Sequence, residues 1–320
     1  MLKNVFPKVA LILAGVVLIA LLCLRASAQS DSHSTNLEIV HDKPFVMVMV
    51  NGKGPFRFVI DTGTGGEAFV SAGLVAELGI PKSGQIRLND PSGLGGQRVP
   101  TVVLDSLQIA GVEFTGVKAA VHDIGNGEGS CQGLLGFTLF RDYLLTLDYP
   151  NHRMSLTPGS LTPDGEQSVL PFRMPDGIPI VTIAIGGTRI DAQLDSGGAG
   201  LSLPRQLTSQ LKFASQFASL SSSHSLSTRF MVVGATLDGD VSLGSYTFRR
   251  PFVEINPAFP VANFGSCPMQ GFAVTFDQKN GLVRLNAQKK IQHLSATPMP
   301  MRLQSAPDLE PPDPKLVPVG

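Results

Sequence analysis

The sequence predicts an all-β protein built as two similar halves, and three observations predict it. Two apolar runs each end in an acidic tripeptide: Phe58-Val59-Ile60 leads into Asp61-Thr62-Gly63, and Ala192-Gln193-Leu194 leads into Asp195-Ser196-Gly197. A second landmark recurs as Leu134-Leu135-Gly136 and Ala262-Asn263-Phe264-Gly265, and each glycine is followed 12 residues later by an acid, Asp148 or Asp277. The copies are offset by 134 positions at the first Asp and by 129 at the later glycine, the mark of an internal repeat. Third, 34 Gly, 24 Pro and no Trp in 320 residues suit many short strands joined by tight turns.

Taken in order, residues 1–28 read as an export signal. Lys3 and Lys8 give the positive start, residues 9–24 are an apolar run, and Ala26-Ser27-Ala28 is a small-x-small cleavage site. The expected location is therefore periplasmic or secreted, with membrane contact only if this segment stays uncleaved as an anchor. Bulky Leu22 before Cys23 argues against a lipoprotein. Residues 29–36 are polar and read as loose. A hairpin is predicted from residues 45–50 and 56–60 around Asn51-Gly52-Lys53-Gly54, and again from 180–185 and 189–194 around Gly186-Gly187. Short helical stretches follow each tripeptide, at residues 72–78 and 205–211. Strands at 104–114 match 237–248, and the Ser-rich residues 215–227 read as a mobile loop. The predicted division is a first lobe at 37–157, a linker at 158–167 rich in turn formers, a second lobe at 168–288, and a Pro-rich extended tail at 289–320.

Formal net charge is zero with 16% charged residues, so there is no basic footprint for nucleic acid. Two cysteines lie beyond the signal, Cys131 and Cys267, each in Gly-Ser-Cys. They are not repeat-equivalent, since one lies five residues before Gly136 and the other two after Gly265. A disulfide between them in an oxidising compartment and a pair of buried thiols both stay open.

The doubled constellation, apolar-apolar-Asp-Thr/Ser-Gly followed by apolar-apolar-Gly before a strand ending in Asp, resembles the pepsin/retropepsin-like aspartic peptidases. The likeness spans both halves, roughly residues 37–287, and is greatest to bacterial exported proteins with two retropepsin-like lobes. It implies a bilobal fold of two pseudo-symmetric barrel-like lobes with the site in the cleft between them. It implies endopeptidase activity on a peptide or protein, no cofactor, and no need for a second chain, because one chain supplies both carboxylates.

The chemistry explains the residue types. Metal-free peptide hydrolysis needs a base for water and an acid for the scissile carbonyl, and two adjacent carboxyl groups cannot both ionise comfortably. Asp61 and Asp195 would fill these roles, with acid and base not assignable from sequence because the pair titrates together. Gly63 and Gly197 would allow close backbone approach behind each carboxylate. By the resemblance, Thr62 and Ser196 would reach into the opposite lobe and lock the two loops, and Thr64 would brace Asp61. Two positions depart from the family pattern: Gly198 has no hydroxyl where the first half has Thr64, and no flap tyrosine lies between Asp61 and Tyr143. The candidate flap is the Gly-rich segment 90–97, with Ser92, Gly93, Leu94, Gly95 and Gly96 at its tip, which would close over substrate.

Rival readings are weaker. Residues 63–68 fit a dinucleotide fingerprint, but no strand–helix alternation follows. His33, His41, His122, His152, His224 and His293 are scattered with no ligand spacing, and no Gly-x-Ser-x-Gly elbow is present. The serious alternative is an idle relative that keeps the fold and binds peptides or an envelope partner.

Overall fold

A computed structural model describes residues 33–89, 95–124, 130–224, 229–257 and 259–294. Residues 1–28, most of the tail and the centre of the candidate flap, residues 90–94, lie outside the described residues. No helix among the described residues is long and apolar enough to cross a membrane.

The chain is all-β, and its described residues form three sheets. Each half opens with a hairpin whose turn is dictated locally. Asn51 and Gly52 take φ +48° and +72°, and Gly186 and Gly187 take +57° and +87°, the left-handed pair that a two-residue turn between twisted strands requires. Seven strands then follow the same order in both halves. In the first half the order runs Lys43–Val50, Lys53–Asp61, Gly133–Gly136, Ala68–Val70, Val112–Val121, Gly96–Ile109, Lys82–Asn89. In the second it runs Ile180–Ile185, Thr188–Leu194, Ala262–Phe264, Leu201–Pro204, Phe252–Asn256, Arg229–Thr236, Ala218–His224.

The halves differ where turn residues intervene. The single strand Gly96–Ile109 pairs through Thr101–Ile109 with Val112–Val121, whereas the second half splits that ribbon. Asp238-Gly239-Asp240 separates Arg229–Thr236 from Val241–Leu243, and Pro251, which has no N–H to donate, separates Tyr246–Phe248 from Phe252–Asn256.

The third sheet joins the halves. Its two central strands, Leu144–Asp148 and Ala273–Asp277, pair antiparallel with Thr146 opposite Thr275. These residues are 129 apart, the offset between the two glycine landmarks, and their hydroxyls lie 2.9 Å apart. Beneath, Phe137 from the first half packs edge-on against Phe276 from the second, with ring centroids 5.1 Å apart, and Phe172 adds a third ring. The repeated Asp148 and Asp277 cap the hairpins that follow, each accepting from the backbone and side-chain amides of Asn151 or Asn280.

Several sequence expectations need correction. His33–Asn36 is not loose but pairs with Arg153–Thr157 at the edge of the joining sheet. The Ser-rich segment read as a loop contains the strand Ala218–His224. Residues 205–211 form a 3₁₀ turn, Arg205–Gln210, while Ala72–Leu78 is an α-helix capped by the Ser71 hydroxyl at its start and by Gly79 in the left-handed region at its end. The segment read as a linker lacks regular structure but is anchored: Asp164 accepts from Gln167, Ser168 and Val169, and the Leu161 N–H donates to buried Asp277. The Ser168 hydroxyl and these amides hold the Asp164 carboxyl down at about 2. Ile291–Gln292, placed in the tail by composition, adds a short strand beside Tyr246–Phe248. Cys131 and Cys267 are not joined by a disulfide.

Candidate active site

Both acidic tripeptides sit where a strand ends and the backbone turns. Lys53–Asp61 runs parallel to Gly133–Gly136, with Asp61 opposite Gly136, and Thr188–Leu194 runs parallel to Ala262–Phe264. The turns match: the Thr64 N–H donates to the Asp61 carbonyl at 3.2 Å, and the Gly198 N–H to that of Asp195 at 3.2 Å. Gly136 and Gly265 are glycines for a steric reason. A Cβ on Gly136 would lie 2.1 Å from the Gly66 carbonyl oxygen, and one on Gly265 would lie 2.5 Å from that of Gly200. The recurring apolar-apolar-Gly is thus a strand passing directly behind an acidic turn.

Four hydrogen bonds lock the two turns together. The Thr62 hydroxyl donates to the Leu194 carbonyl at 2.7 Å and accepts from the Ser196 N–H at 2.9 Å. Reciprocally, the Ser196 hydroxyl donates to the Ile60 carbonyl at 2.7 Å and accepts from the Thr62 N–H at 3.0 Å. Both side chains are fully buried, so no water can replace these partners. Thr62→Val keeps the shape but orphans a buried N–H and a buried carbonyl, and is expected to cost about 2 kcal/mol or more. Urea unfolding of Thr62→Val and Ser196→Ala, which should behave alike, checks this.

The lock brings the two carboxyl groups face to face, within reach of a shared hydrogen bond. The missing side chain of each tripeptide glycine makes room for the opposite acid, a correction to the sequence expectation that each opens space behind its own. A Cβ on Gly63 would lie 2.4 Å from the Asp195 carboxyl carbon, and one on Gly197 would lie 2.4 Å from that of Asp61.

The surroundings of the two acids differ. Asp61 accepts one hydrogen bond at its Oδ2, from the Thr64 hydroxyl at 3.0 Å. Its Oδ1 is buried with no donor among the described residues. Asp195 has donors at both oxygens. The N–H groups of Gly197 and Gly198 donate to Oδ1 at 2.9 and 3.0 Å, while the side-chain amides of Asn263 and Gln193 donate to Oδ2 at 2.7 and 3.4 Å. Burial, then the negative charge of Asp195 and the hydrogen bond shared with it, push the Asp61 carboxyl up from its usual 3.8 to about 8; Thr64 and Lys43 oppose this. One proton therefore stays on the pair at neutral pH.

Asp61, Thr62, Gly63, Thr64, Asp195, Ser196 and Gly197, all picked out in the sequence, converge here. Of the candidate flap, Ser92, Gly93 and Leu94 lie outside the described residues, while Gly95 and Gly96, with φ +82° and +139°, border the hairpin in which Asn89 pairs with Gly96. Sequence reasoning missed Asn263 and Gln193. Each occupies a repeat position that is apolar in the first half, Leu134 and Val59, and that polar exception within a buried run was the available signal.

Among known families, the model for aspartyl proteases matches residues 46–139, a span that holds Asp61-Thr62-Gly63 and Leu134-Leu135-Gly136 and ends before Asp195. A search of curated protein sequences gives no match.

Proposed function

We propose, from the premise that residues 46–139 belong to the aspartyl protease family, that the chain is an endopeptidase whose two carboxyl groups, Asp61 and Asp195, activate one water between them. The observation that carries this is the unequal pair: two neighbouring carboxyl groups, one poor in donors with its titration raised, the other with donors at both oxygens. Asp195 takes the proton of the attacking water while Asp61 gives its proton to the scissile carbonyl oxygen. The tetrahedral intermediate then collapses: the C–N bond breaks, the proton on Asp195 moves to the leaving amine, and one hydroxyl of the intermediate returns its proton to Asp61, restoring the starting pair. The reciprocal lock fixes both carboxyl groups before substrate arrives, so little reorganisation is left for the reaction itself.

In this reading the chain works as two lobes, residues 37–157 and 168–288, with substrate between them, and acts after export directed by residues 1–28. The motive for the second lobe is the strand order it shares with the first.

The test is cleavage of an unbiased peptide library by the purified chain from acid to alkaline pH, with and without pepstatin. Because Asp61 keeps its proton to about 8, activity should persist through neutral pH and fall as pH rises past that value, rather than vanish above acid pH. Absence of cleavage at every pH would replace this proposal with a peptide-binding role.

A further inference from the structure

The two acids are braced by different chemistry. In the first half a hydroxyl from the same turn, that of Thr64, touches Asp61. The equivalent position in the second half is Gly198, and its brace comes from another strand: Asn263, in Ala262–Phe264, places its amide nitrogen 2.7 Å from Asp195 Oδ2. Gly198 is not glycine for the backbone's sake, since its φ lies outside the left-handed region. It is glycine for space, because a Cβ there would lie 2.8 Å from the Asn263 amide nitrogen and 2.8 Å from Asp195 Oδ2. The residue opposite Asn263 in the repeat is Leu134, which could brace nothing.

We infer that Asn263 and Gly198 form a compensated pair in which Asn263 is the positioning residue that holds Asp195 as the ionised member of the dyad. The inference rests on the reading of Asp61 and Asp195 as the hydrolytic pair. The physical distinction is between donors. A hydroxyl donates to a carboxylate or accepts from a carboxylic acid, so Thr64 accommodates either state of Asp61. An amide –NH₂ only donates, so Asn263 favours the charged form of Asp195 alone; the reversed amide would set its carbonyl oxygen against the carboxylate. Gln193 and the two glycine N–H groups act in the same sense. The apolar counterparts Leu134 and Val59 give Asp61 no such preference. The order of roles, with Asp195 as base and Asp61 as acid, is thereby built into the resting protein.

The test exchanges one brace for the other. Asn263→Leu installs the first-half residue and removes the amide. Gly198→Thr with Asn263→Leu recreates the Thr64–Leu134 arrangement beside Asp195. Two readouts are taken: carboxyl ¹³C titration of labelled aspartate, and the pH profile of kcat/KM on a library-derived peptide. Asn263→Leu should raise the titration point of Asp195 by about one unit and move the acid limb of kcat/KM up by the same amount, a loss of about tenfold below it. The double variant should recover most of both shifts, whereas Gly198→Thr alone, with Asn263 in the way, should lose activity. An unchanged Asp195 titration in Asn263→Leu, or a double variant no better than Asn263→Leu, would overturn the inference. Thermal melting of each variant separates unfolding from titration. The titration needs no substrate, so a wild-type chain that cut no peptide would sink the peptidase reading and leave the role of Asn263 to be decided on its own.

Discussion

Asp61→Asn and Asp195→Asn are each expected to abolish peptide cleavage, with turnover reduced by at least about a thousandfold, and to change stability in opposite directions. Asparagine at 61 removes a half-buried acid, with its Oδ1 out of solvent, from beside a second one. The raised titration of Asp61 works against the native state as pH rises: its contribution to stability is fully present below the usual 3.8 and is lost progressively as pH climbs toward about 8. Asp61→Asn has nothing to ionise, so its melting temperature should pull ahead of wild type across that interval. Asparagine at 195 instead sets an –NH₂ among four converging donors and forfeits charge-assisted bonds, at a cost of about 1–3 kcal/mol. Cleavage assays paired with melting curves from acid to pH 8 check both halves. Retention of substantial activity by either variant would remove the dyad from the mechanism.

Gly63→Ala and Gly197→Ala should be as damaging to activity, although neither removes a functional group. A methyl 2.4 Å from the opposing carboxyl carbon cannot be accommodated, and the neighbours that would have to yield are held by the Thr62–Ser196 lock. Overpacking at such a site costs about 1–3 kcal/mol. The larger effect is on chemistry, because displacing either carboxyl by even an ångström separates the pair, and we expect a loss of at least about a hundredfold in kcat/KM. The reciprocal geometry makes a sharper statement: in Gly63→Ala the acid that moves is Asp195, and in Gly197→Ala it is Asp61. The same carboxyl titration shows which resonance shifts, and a shift at the variant's own acid would contradict the crossed contact.

Much of this site was legible because its residues are constrained locally. Asp61-Thr62-Gly63 and Asp195-Ser196-Gly197 stand out since a turn at the end of a buried strand tolerates few side chains, and Gly136 and Gly265 repeat because the strand behind each turn has no room for one. Asn51-Gly52 and Gly186-Gly187 announce their hairpins by the positive φ they must adopt. The failures share a cause as well. Ala218–His224 looked like a loop because its polar residues carry no apolar alternation, and His33–Asn36 looked loose because its partner, Arg153–Thr157, is more than a hundred residues away. Asn263 was in view within its landmark, yet its role depended on a contact with Asp195 across 68 residues.

The strands, the hairpin turns and the duplicated Asp-Thr/Ser-Gly spacing could be read directly from the chain, because periodicity, turn chemistry and spacing are properties of neighbouring residues. The room that Gly63 and Gly197 leave for the opposite acids, and the unequal supply of donors to Asp61 and Asp195, exist only in the folded chain. Burial, charge proximity and the number of donors around a carboxyl are sums over residues that the fold alone brings together.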